Sequence, residues 1–259
     1  MKHLIIPDPH AHPEYDNYRF LALGRFIMEE RPDVIICLGD MADMPSLSSY
    51  DKGKKNFEGR RYMKDIAAVD EANRMLFEPL RRHNKMRRRN RKKVYNPTKI
   101  MTLGNHEERI KRVSQNSPEL DGVVSLDDLN YHEWGWICVG YNDHISIDGI
   151  AYSHHFATGV SGRPISGENI GRMLVQKNLM SSVQGHSHVF DHSIRTKIDG
   201  TRVHGMSVGC FTHPNYVEGW NEATHHMWWR GVVVLEDVED GDFSQMTAVG
   251  LDNLLTNYL

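Results

Sequence analysis

Residues 34–40 read VIICLGD, a short aliphatic run that ends in a glycine turn and a carboxylate. Brief β-branched or aliphatic runs closed by turn residues are typical of strands buried in a parallel sheet. The chain repeats this pattern four more times. The other runs read LIIPDPH (residues 4–10), IMTLGNHE (100–107), IAYSHH (150–155) and VQGHSH (183–188). Five such strands, each followed by polar side chains, decide the fold.

The side chains that follow the five runs are of metal-ligand types. In open α/β sheets, ligands bind just beyond the carboxyl ends of the strands. We expect the five strands to lie in one sheet and to deliver seven oxygen and nitrogen donors to one edge. These predicted ligands are Asp8, His10, Asp40, Asn105, His154, His186 and His188. Seven donors are too many for one ion and suit two.

The spacing within the runs indicates how two ions could share these donors. A carboxylate can bridge two cations, and Asp40, on the tight turn at Gly39, is the natural bridge. The Asp-x-His pair at residues 8–10 places two ligands of one turn on the same ion. The Gly-His-Ser-His stretch at residues 185–188 offers two imidazoles in alternating directions, enough to contact one ion each.

Between the runs, hydrophobic spacing predicts the connecting elements. Apolar residues at helical spacing indicate crossover helices over residues 17–30 and 62–80, which imply parallel strand pairs. Three strand-like segments predict a meander with a type I′ turn at residues 148–149. These segments are residues 136–139, 144–147 and 150–152. Residues 232–235 predict the final strand, and we expect one domain over residues 1–259.

The net charge of −3 conceals a basic insertion at about residues 81–95. Nine Lys or Arg and no Asp or Glu lie between residues 81 and 93, which leaves the rest of the chain acidic. The stretch is either a solvated helix end or a contact surface for a phosphate backbone. The candidate nucleic-acid contacts are Arg87, Arg88, Arg89 and Arg91. Since the stretch precedes the third strand, it could instead run along the opposite edge of the sheet.

Composition also indicates the compartment. No apolar stretch approaches the length of a bilayer span, and nothing resembles a signal peptide. Three widely spaced cysteines favour reduced, packed thiols. We therefore expect a cytoplasmic protein without a membrane partner.

The motif order Asp-x-His, Gly-Asp, Gly-Asn-His-Glu, His and Gly-His-x-His resembles the calcineurin-like metallophosphoesterase superfamily over residues 8–188. That superfamily includes purple acid phosphatases, cyclic-nucleotide phosphodiesterases and DNA repair nucleases of the SbcD type. The resemblance implies an α/β fold, a two-sheet β-sandwich flanked by helices. It also implies two half-sites. Asp8, His10, Asp40 and His188 would hold one metal, and Asp40, Asn105, His154 and His186 would hold the other.

The resemblance further implies that His106 donates a proton to the leaving group. Strand alternation lets only one of His154 and His155 face the metals, and the resemblance favours His154. His155 would then contact substrate or support a ligand. Asp43 would orient a ligand histidine, although a helix cap explains it equally well. Glu107 would orient His106 or pair with a neighbour such as Arg109.

The expected chemistry is hydrolysis at phosphorus. Two divalent ions, Mn²⁺ first with Fe, Zn, Ni or Mg as alternatives, would clamp the attacking and leaving oxygens while a metal-bridging hydroxide attacks. The leading hypothesis is a phosphodiesterase acting on DNA or RNA, a nuclease. The alternative is a small-molecule phosphoesterase acting on a cyclic nucleotide or a phosphomonoester. A third hypothesis, a non-catalytic metal-binding scaffold, would leave His106 without a purpose.

Overall fold

The computed structural model describes residues 1–217 and 223–259, and these contain thirteen strands and five α-helices. The strands are His3–Ile6 (β1), Val34–Cys37 (β2), Thr98–Thr102 (β3), Ile137–Val139 (β4), Ile145–Ile147 (β5), Ile150–Ser153 (β6), Ala157–Thr158 (β7), Arg163–Pro164 (β8), Ser182–Gln184 (β9), Phe190–Thr196 (β10), Arg202–Val208 (β11), Gly231–Glu236 (β12) and Gln245–Gly250 (β13). The helices are Tyr18–Glu30 (α1), Tyr62–Arg89 (α2), Glu108–Asn116 (α3), Ile170–Asn178 (α4) and Leu251–Tyr258 (α5).

The strands form two mixed sheets and one small ribbon. The first sheet has the order β13-β12-β1-β2-β3-β4, with β1 to β4 parallel, β12 antiparallel to β1 and β13 antiparallel to β12. The second has the order β10-β11-β9-β6-β5, with β11, β9 and β6 parallel. Strands β7 and β8 pair separately. The α/β, two-sheet architecture flanked by helices is therefore confirmed.

The expectation that all five motif strands share one sheet is wrong. Strands β1, β2 and β3 lie in the first sheet, whereas β6 and β9 lie in the second. Their carboxyl ends nevertheless meet at one edge, because the two sheets stack face to face. The backbone carbonyl of Leu38, after β2, lies 2.8 Å from Nδ1 of His154, after β6. The ligands thus converge from both layers of the sandwich.

Alternating side chains of the central strands build a core on each face of the first sheet. Ile5 and Ile36 point between the sheets and pack with Val183 of the second sheet. Leu4 and Ile6 point the other way, into a cluster shared with α1, α2 and α5. Strands buried on both faces lose the polar alternation of a surface strand, which explains their continuous aliphatic runs.

Helix α2 continues to Arg89, so the predicted end near residue 80 is wrong. Pro79 lies inside the helix, where a proline removes one backbone donor and crowds the preceding turn. Leu76, Phe77 and Leu80 are buried around it, and their packing outweighs the local cost. The first nine residues of the basic stretch are therefore the last turns of a 28-residue helix.

The predictions for the second half of the chain have mixed outcomes. Residues 137–139 pair with β3 in the first sheet, so the proposed three-stranded meander is wrong. The hairpin between β5 and β6 is confirmed, and Asp148 and Gly149 both have the positive φ of a type I′ turn. The strand predicted at 232–235 is also present, but β13 and α5 follow it.

Substituting Gly24 tests the close crossing of α1 and α2. A Cβ at Gly24 would overlap the backbone carbonyl of Leu76, which cannot move away as a side chain could. Alanine favours a helix by about 1 kcal/mol over glycine. We expect Gly24→Ala to lower the free energy of unfolding, by about 1–3 kcal/mol, because the overlap dominates. Urea denaturation measures it, with exposed Tyr18→Ala as the control; increased stability of Gly24→Ala would contradict the packing.

Candidate metal centre

All seven predicted ligands lie together at the edge where the carboxyl ends of β1, β2, β3, β6 and β9 meet. Two groups of possible donors stand out there, each with its donor atoms within 4.8 Å of one another. One group contains His10, Asp40 and His106, and the other contains His154, His155 and His186. Most of these side chains are buried, so the donors face one another rather than bulk water.

Asp40 belongs to the first group and also faces the second. Its Oδ2 is 3.8 Å from Nε2 of His10 on one side and 3.4 Å from Nε2 of His154 on the other. Its Oδ1 accepts a hydrogen bond of 2.8 Å from the backbone N–H of His106. One carboxylate oxygen is thus fixed by the backbone while the other faces imidazoles of both groups. This is the placement that a bridging carboxylate requires.

Around His154, the imidazole and amide donors point at one another. Oδ1 of Asn105 is 2.9 Å from both Nε2 of His154 and Nδ1 of His186. The Leu38 carbonyl engages the opposite ring nitrogen of His154. A ligand histidine is usually oriented in this way, by a carbonyl or carboxylate on its far nitrogen. Nε2 of His154 is therefore the atom available to an ion.

On the other side of Asp40, His10 is held by Asp43. Nδ1 of His10 lies 2.7 Å from Oδ1 of Asp43, and the hydroxyl of Tyr216 donates to the same oxygen at 2.6 Å. Nε2 of His10 is buried and makes no hydrogen bond. Asp43 thus contacts the imidazole from behind, and the free nitrogen points toward Asp40. Within the described residues, the Asp43 side chain does not cap the short helix Pro45–Leu47 that follows it.

Asp8 links the two sheets at the centre. Its Oδ2 lies 3.4 Å from Nε2 of His188 and also accepts the backbone N–H of His186. Its Oδ1 is buried without a hydrogen-bond partner and lies 3.5 Å from Nδ1 of His154. Trp228 packs edge-on against the His188 ring, with ring centroids 4.3 Å apart. Strand ends from opposite layers are therefore joined through one carboxylate.

Five of the predicted ligands have left-handed backbone angles. Their φ values lie between 36° and 66°, at Asp8, His10, Asp40, His186 and His188. Such angles cost a non-glycine residue of the order of 1 kcal/mol or more, and they persist where surrounding contacts enforce them. Here the contacts are the hydrogen bonds described above. The sharp turns aim successive side chains into one volume, which a regular strand end would not do.

The electrostatics of the cluster favour a cation. Burial would raise the pKa of Asp40, but the charges of His154 and His106 lower it to about 2. Burial likewise opposes ionisation of Asp8, yet the neighbouring His154 and His188 imidazoles, 3.5 and 3.4 Å from its carboxylate oxygens, hold its pKa below the ordinary value. For His154, burial is outweighed by Asp40 and Asp8, which raise its pKa to about 10. The negative potential that draws a proton onto His154 would draw a metal ion equally.

The donor set fits a pair of divalent ions. Two buried polar atoms, Oδ1 of Asp8 and Nε2 of His10, have no partner within the protein, and unpaired buried polar atoms are unfavourable. Mixed carboxylate, imidazole and amide donors suit Mn²⁺, Fe²⁺ or Zn²⁺. Burial and the charge of His154 lower the pKa of His186 to about 3, which leaves its imidazole neutral and able to ligate.

His106 lies beside this centre, and both of its ring nitrogens contact neighbouring groups. Its Nδ1 is 2.6 Å from the carbonyl oxygen of Asp43, and its Nε2 is 3.1 Å from Nη2 of Arg109. Burial and Arg109 lower the pKa of His106, but Asp40 and Asp43 outweigh them and raise it. The side chain is therefore close to the ligands and inclined to carry a proton.

A protein-family model supports the chemistry that this geometry suggests. The model described as calcineurin-like phosphoesterase matches residues 1–232. The chain belongs to the calcineurin-like phosphoesterase family. It is thus a member of a family of phosphoester hydrolases that depend on metal ions.

The other comparisons are remote. A structural study of Yfce, a phosphoesterase from E. coli, describes a chain with 12% identity and a TM-score of 0.40, covering 96% of this chain and all of that one. A second solved structure has 9% identity and the same TM-score, covering 96% and 98%. No curated protein matches. Within the described residues of this phosphoesterase, no helix has both the length and the hydropathy to cross a bilayer.

Glu107 has a different role from the one expected. Its carboxylate accepts hydrogen bonds from the backbone N–H groups of Asp40, Ala42 and Gly104 and from the hydroxyl of Tyr131, at 2.8–3.0 Å. The described contacts of this carboxylate include neither the His106 ring nor Arg109. The expectation that it orients His106 or pairs with Arg109 is wrong, because the side chain points back under the turn. Glu107 instead ties the loop after β2 to the loop after β3.

His155 lies near the predicted metal ligands. Its ring centroid is 5.3 Å from that of His186, and its Nδ1 is buried without a partner. Burial and the charge of His154 lower its pKa to about 4, so it is neutral. Alternation was expected to turn one histidine of the pair away from the metals. The sharp bend after β6 brings both near His186, although only His154 also contacts Asn105.

A cleft of about 330 Å³ opens over the centre. Asp40, Asn105, His106, His186 and His188 form its floor. Its rim carries residues that the sequence motifs did not reveal. These are Ser48, Ser49, Tyr50, Arg109 and Arg112. Two guanidinium groups beside the donors provide positive charge for a phosphate group.

The predicted contacts Arg87, Arg88, Arg89 and Arg91 are not beside this cleft. They lie at the C-terminal end of α2, whose N-terminal end approaches the metal centre. The helix has 28 residues, so its ends are about 40 Å apart. The Tyr95 hydroxyl, just after the basic stretch, donates to the carbonyl of Pro32, before β2. The stretch therefore lies at the opposite edge of the sheet.

Tyr216 and Tyr131 could not be found from the sequence for a physical reason. Tyr216 contacts Asp43 across 173 residues, and Tyr131 contacts Glu107 across 24 residues. Neither belongs to a strand-end motif, so no local spacing marks them. Arg109 carried a weak signal, since it follows the Gly-Asn-His-Glu motif at the start of α3.

Changing Glu107 tests its role as the tie between the two loops. In Glu107→Gln, the side-chain NH2 group would face backbone N–H groups that now donate to the carboxylate, and two donors cannot form a hydrogen bond with each other. We expect the free energy of unfolding to fall by about 2–3 kcal/mol, and metal affinity to fall with it. Denaturant unfolding and metal content measure both. Glu108→Gln is the matched control, since Glu108 is partly exposed and pairs with Lys111; equal behaviour of the two variants would contradict this role.

Asp65 gives a pH-dependent prediction. Burial raises its pKa to about 6, while a hydrogen bond from the Ser46 N–H opposes the shift. The folded state therefore binds the proton more tightly, and the stability from Asp65 is lost as pH rises from 3.8 through about 6. At pH above 7 we expect Asp65→Asn to be more stable than the parent, by about 1–3 kcal/mol. Denaturation across pH checks this against exposed Asp127→Asn; destabilisation by Asp65→Asn would contradict it.

Proposed function

We propose that this phosphoesterase hydrolyses phosphodiesters with two divalent ions bound on either side of Asp40. The observation that carries the proposal is the position of the Asp40 carboxylate between the His10 and His154 groups, at 3.8 and 3.4 Å. Asp8, His10, Asp40 and His188 would hold one ion. Asp40, Asn105, His154 and His186 would hold the other. Mn²⁺ is the proposed metal, with Fe, Zn, Ni and Mg as alternatives.

The remaining side chains divide the work at phosphorus. When bound, the ions supply an activated water and stabilise negative charge on the phosphoryl oxygens. His106 donates a proton from Nε2 to the leaving oxygen, since it lies at the rim of the donors and its pKa is raised. Arg109 now contacts that nitrogen, and a phosphate in the cleft would offer its guanidinium a stronger, charged partner. Release of Arg109 would then free Nε2.

The cleft itself recognises a phosphate rather than a long polymer. Its volume of about 330 Å³ and its two arginines suit one phosphodiester with its immediate substituents. The case for nucleic acid depended on the basic stretch, which lies at the far edge. The cleft therefore favours a nucleotide or another small phosphodiester, and a nuclease acting on DNA or RNA is the second candidate. We propose the cytoplasm as the compartment, consistent with three unpaired cysteine thiols.

A substrate panel with Mn²⁺ tests the proposal. It compares DNA and RNA, 2′,3′- and 3′,5′-cyclic nucleotides, and p-nitrophenyl mono- and diesters. We expect hydrolysis of at least one small diester. Turnover of monoesters alone would overturn the proposal. Two bound ions per chain without hydrolysis of any diester would also overturn it, and would revive the scaffold hypothesis. Cleavage of polymers without small diesters would favour the nuclease.

His106→Ala tests the proton donor through its dependence on the leaving group. An alkoxide needs a proton, whereas p-nitrophenolate leaves readily without one. We expect turnover of a dinucleotide to fall by about 10²–10⁴-fold, and turnover of bis-p-nitrophenyl phosphate to fall far less. Metal content should stay unchanged. The control is His132→Ala, an exposed histidine; an equal loss on both esters would show that His106 does not act as the acid.

A further inference from the structure

A large cationic groove lies on the far side of the molecule from the metal centre. We call it the distal groove, defined by Arg74, Arg81, Arg82, Lys85, Arg88 and Lys99. Its volume of about 880 Å³ exceeds that of the cleft, and Trp134 forms part of its wall. Nothing in the proposed catalytic mechanism uses it.

Its position is fixed by the end of α2. The Asn84 side chain exchanges two hydrogen bonds with the backbone of Tyr95, which holds the helix against the chain entering β3. Lys99, in β3, lies near the start of that strand, whereas the metal ligand Asn105 follows its end. The distal groove and the cleft therefore open at opposite edges of the sheet.

The cations of the groove are arranged on one helix face. Arg74, Arg81, Lys85 and Arg88 are separated by seven, four and three residues, which returns each to the same side of α2. Lys99 faces them from the sheet. Its ammonium donates to the carbonyl of Trp134 at 2.7 Å and lies 4.1 Å from the ring centroid of Phe77. The helix thus fixes the spacing of these cations along one wall.

Most of this charge is not neutralised by the protein. Arg82 pairs with Glu78 at 3.3 Å, and Arg74 approaches Glu71 at 3.6 Å. Across residues 1–217 and 223–259, no ion pair is formed by Arg81, Lys85 or Arg88. Among the residues that the structure describes, two carboxylates, Glu78 and Glu133, line the groove against its six cations. An anionic partner would supply the missing charge.

The helix dipole does not account for the arrangement. Cations are favoured at a helix C-terminus, but the effect is confined to the last turn. That turn contains Arg87, Arg88 and Arg89, and Arg87 donates to the carbonyl of Lys93. Arg81 and Lys85 lie earlier in the helix. The dipole therefore explains the end of the basic stretch and leaves the groove unexplained.

We propose that the distal groove binds the sugar–phosphate backbone of a single-stranded nucleic acid, separately from the catalytic cleft. Cations that recur every one or two turns along α2 can contact successive phosphates of a strand. Each such contact releases counterions, which favours binding. Trp134 is half-buried in the wall. Its ring stacks on Phe77, with centroids 6.4 Å apart, and the Arg81 guanidinium lies 5.3 Å from its ring centroid, so a base would meet the indole edge and this guanidinium plane. The groove is concave and polar, unlike a surface that inserts into a membrane. This binding does not depend on the proposed catalytic function.

The test uses Arg81→Ala/Lys85→Ala/Arg88→Ala, a triple variant. Anisotropy of a labelled single strand of about 20 nucleotides, which exceeds typical site sizes, measures affinity over a salt series. The Mn²⁺-loaded protein carries His106→Ala to suppress cleavage, and gel electrophoresis verifies that the probe stays intact. We expect the triple variant to bind at least about tenfold more weakly, with a salt slope shallower by about 2, since each single-strand contact contributes about 0.7.

The control removes three exposed cations elsewhere, Lys177→Ala/Arg195→Ala/Lys197→Ala, and should leave affinity and slope unchanged. In the background with His106 intact, the triple variant should hydrolyse bis-p-nitrophenyl phosphate at the parent rate. Failure of the parent to bind the strand, or equal affinities for the triple and control variants, would overturn the proposal. Tighter competition by an acidic peptide or by anionic vesicles than by the unlabelled strand would also overturn it. If the parent hydrolyses no diester, only the proposed catalytic function is refuted.

Discussion

Four hydrogen bonds converge on the buried carboxylate of Glu107, three from backbone N–H groups and one from Tyr131. They join the turn at Asp40 to the turn at Gly104, where a Cβ would collide with the Asp40 carboxylate. The ends of β2 and β3 are thereby held so close together that no side chain fits at Gly104. Because Asp40 also faces His10 and His154, the position of the whole centre depends on this tie.

The centre concentrates features that are unfavourable when considered singly. Five predicted ligands have positive φ, and two buried polar atoms lack partners in the protein. The core of the sandwich, by contrast, is built from aliphatic strands buried on both faces. Such a contrast is expected where a fold holds a reactive site, because strain persists only if the surroundings enforce it. Bound cations would relieve much of this cost by supplying partners for Asp8 and His10.

The strand-end donors and the βαβ order could be read from the sequence because both are local patterns. The assignment of β6 and β9 to a second sheet could not, since an aliphatic run looks the same in either layer. Pro79 and the basic residues concealed the true length of α2, which depends on packing around Leu76 and Phe77. The link from Tyr216 to Asp43 joins residues far apart in the chain. Tertiary contacts, and not local spacing, decide all three.

Catalysis and the proposed strand binding lie at opposite ends of α2, so either could be lost without the other. Asp40 is the carboxylate that the two half-sites would share. Crystals grown with Mn²⁺ and measured for anomalous scattering test this sharing most directly. The account predicts two peaks flanking the Asp40 side chain, one beside Nε2 of His10 and one beside Nε2 of His154. A single peak, or none in contact with Asp40, would contradict it.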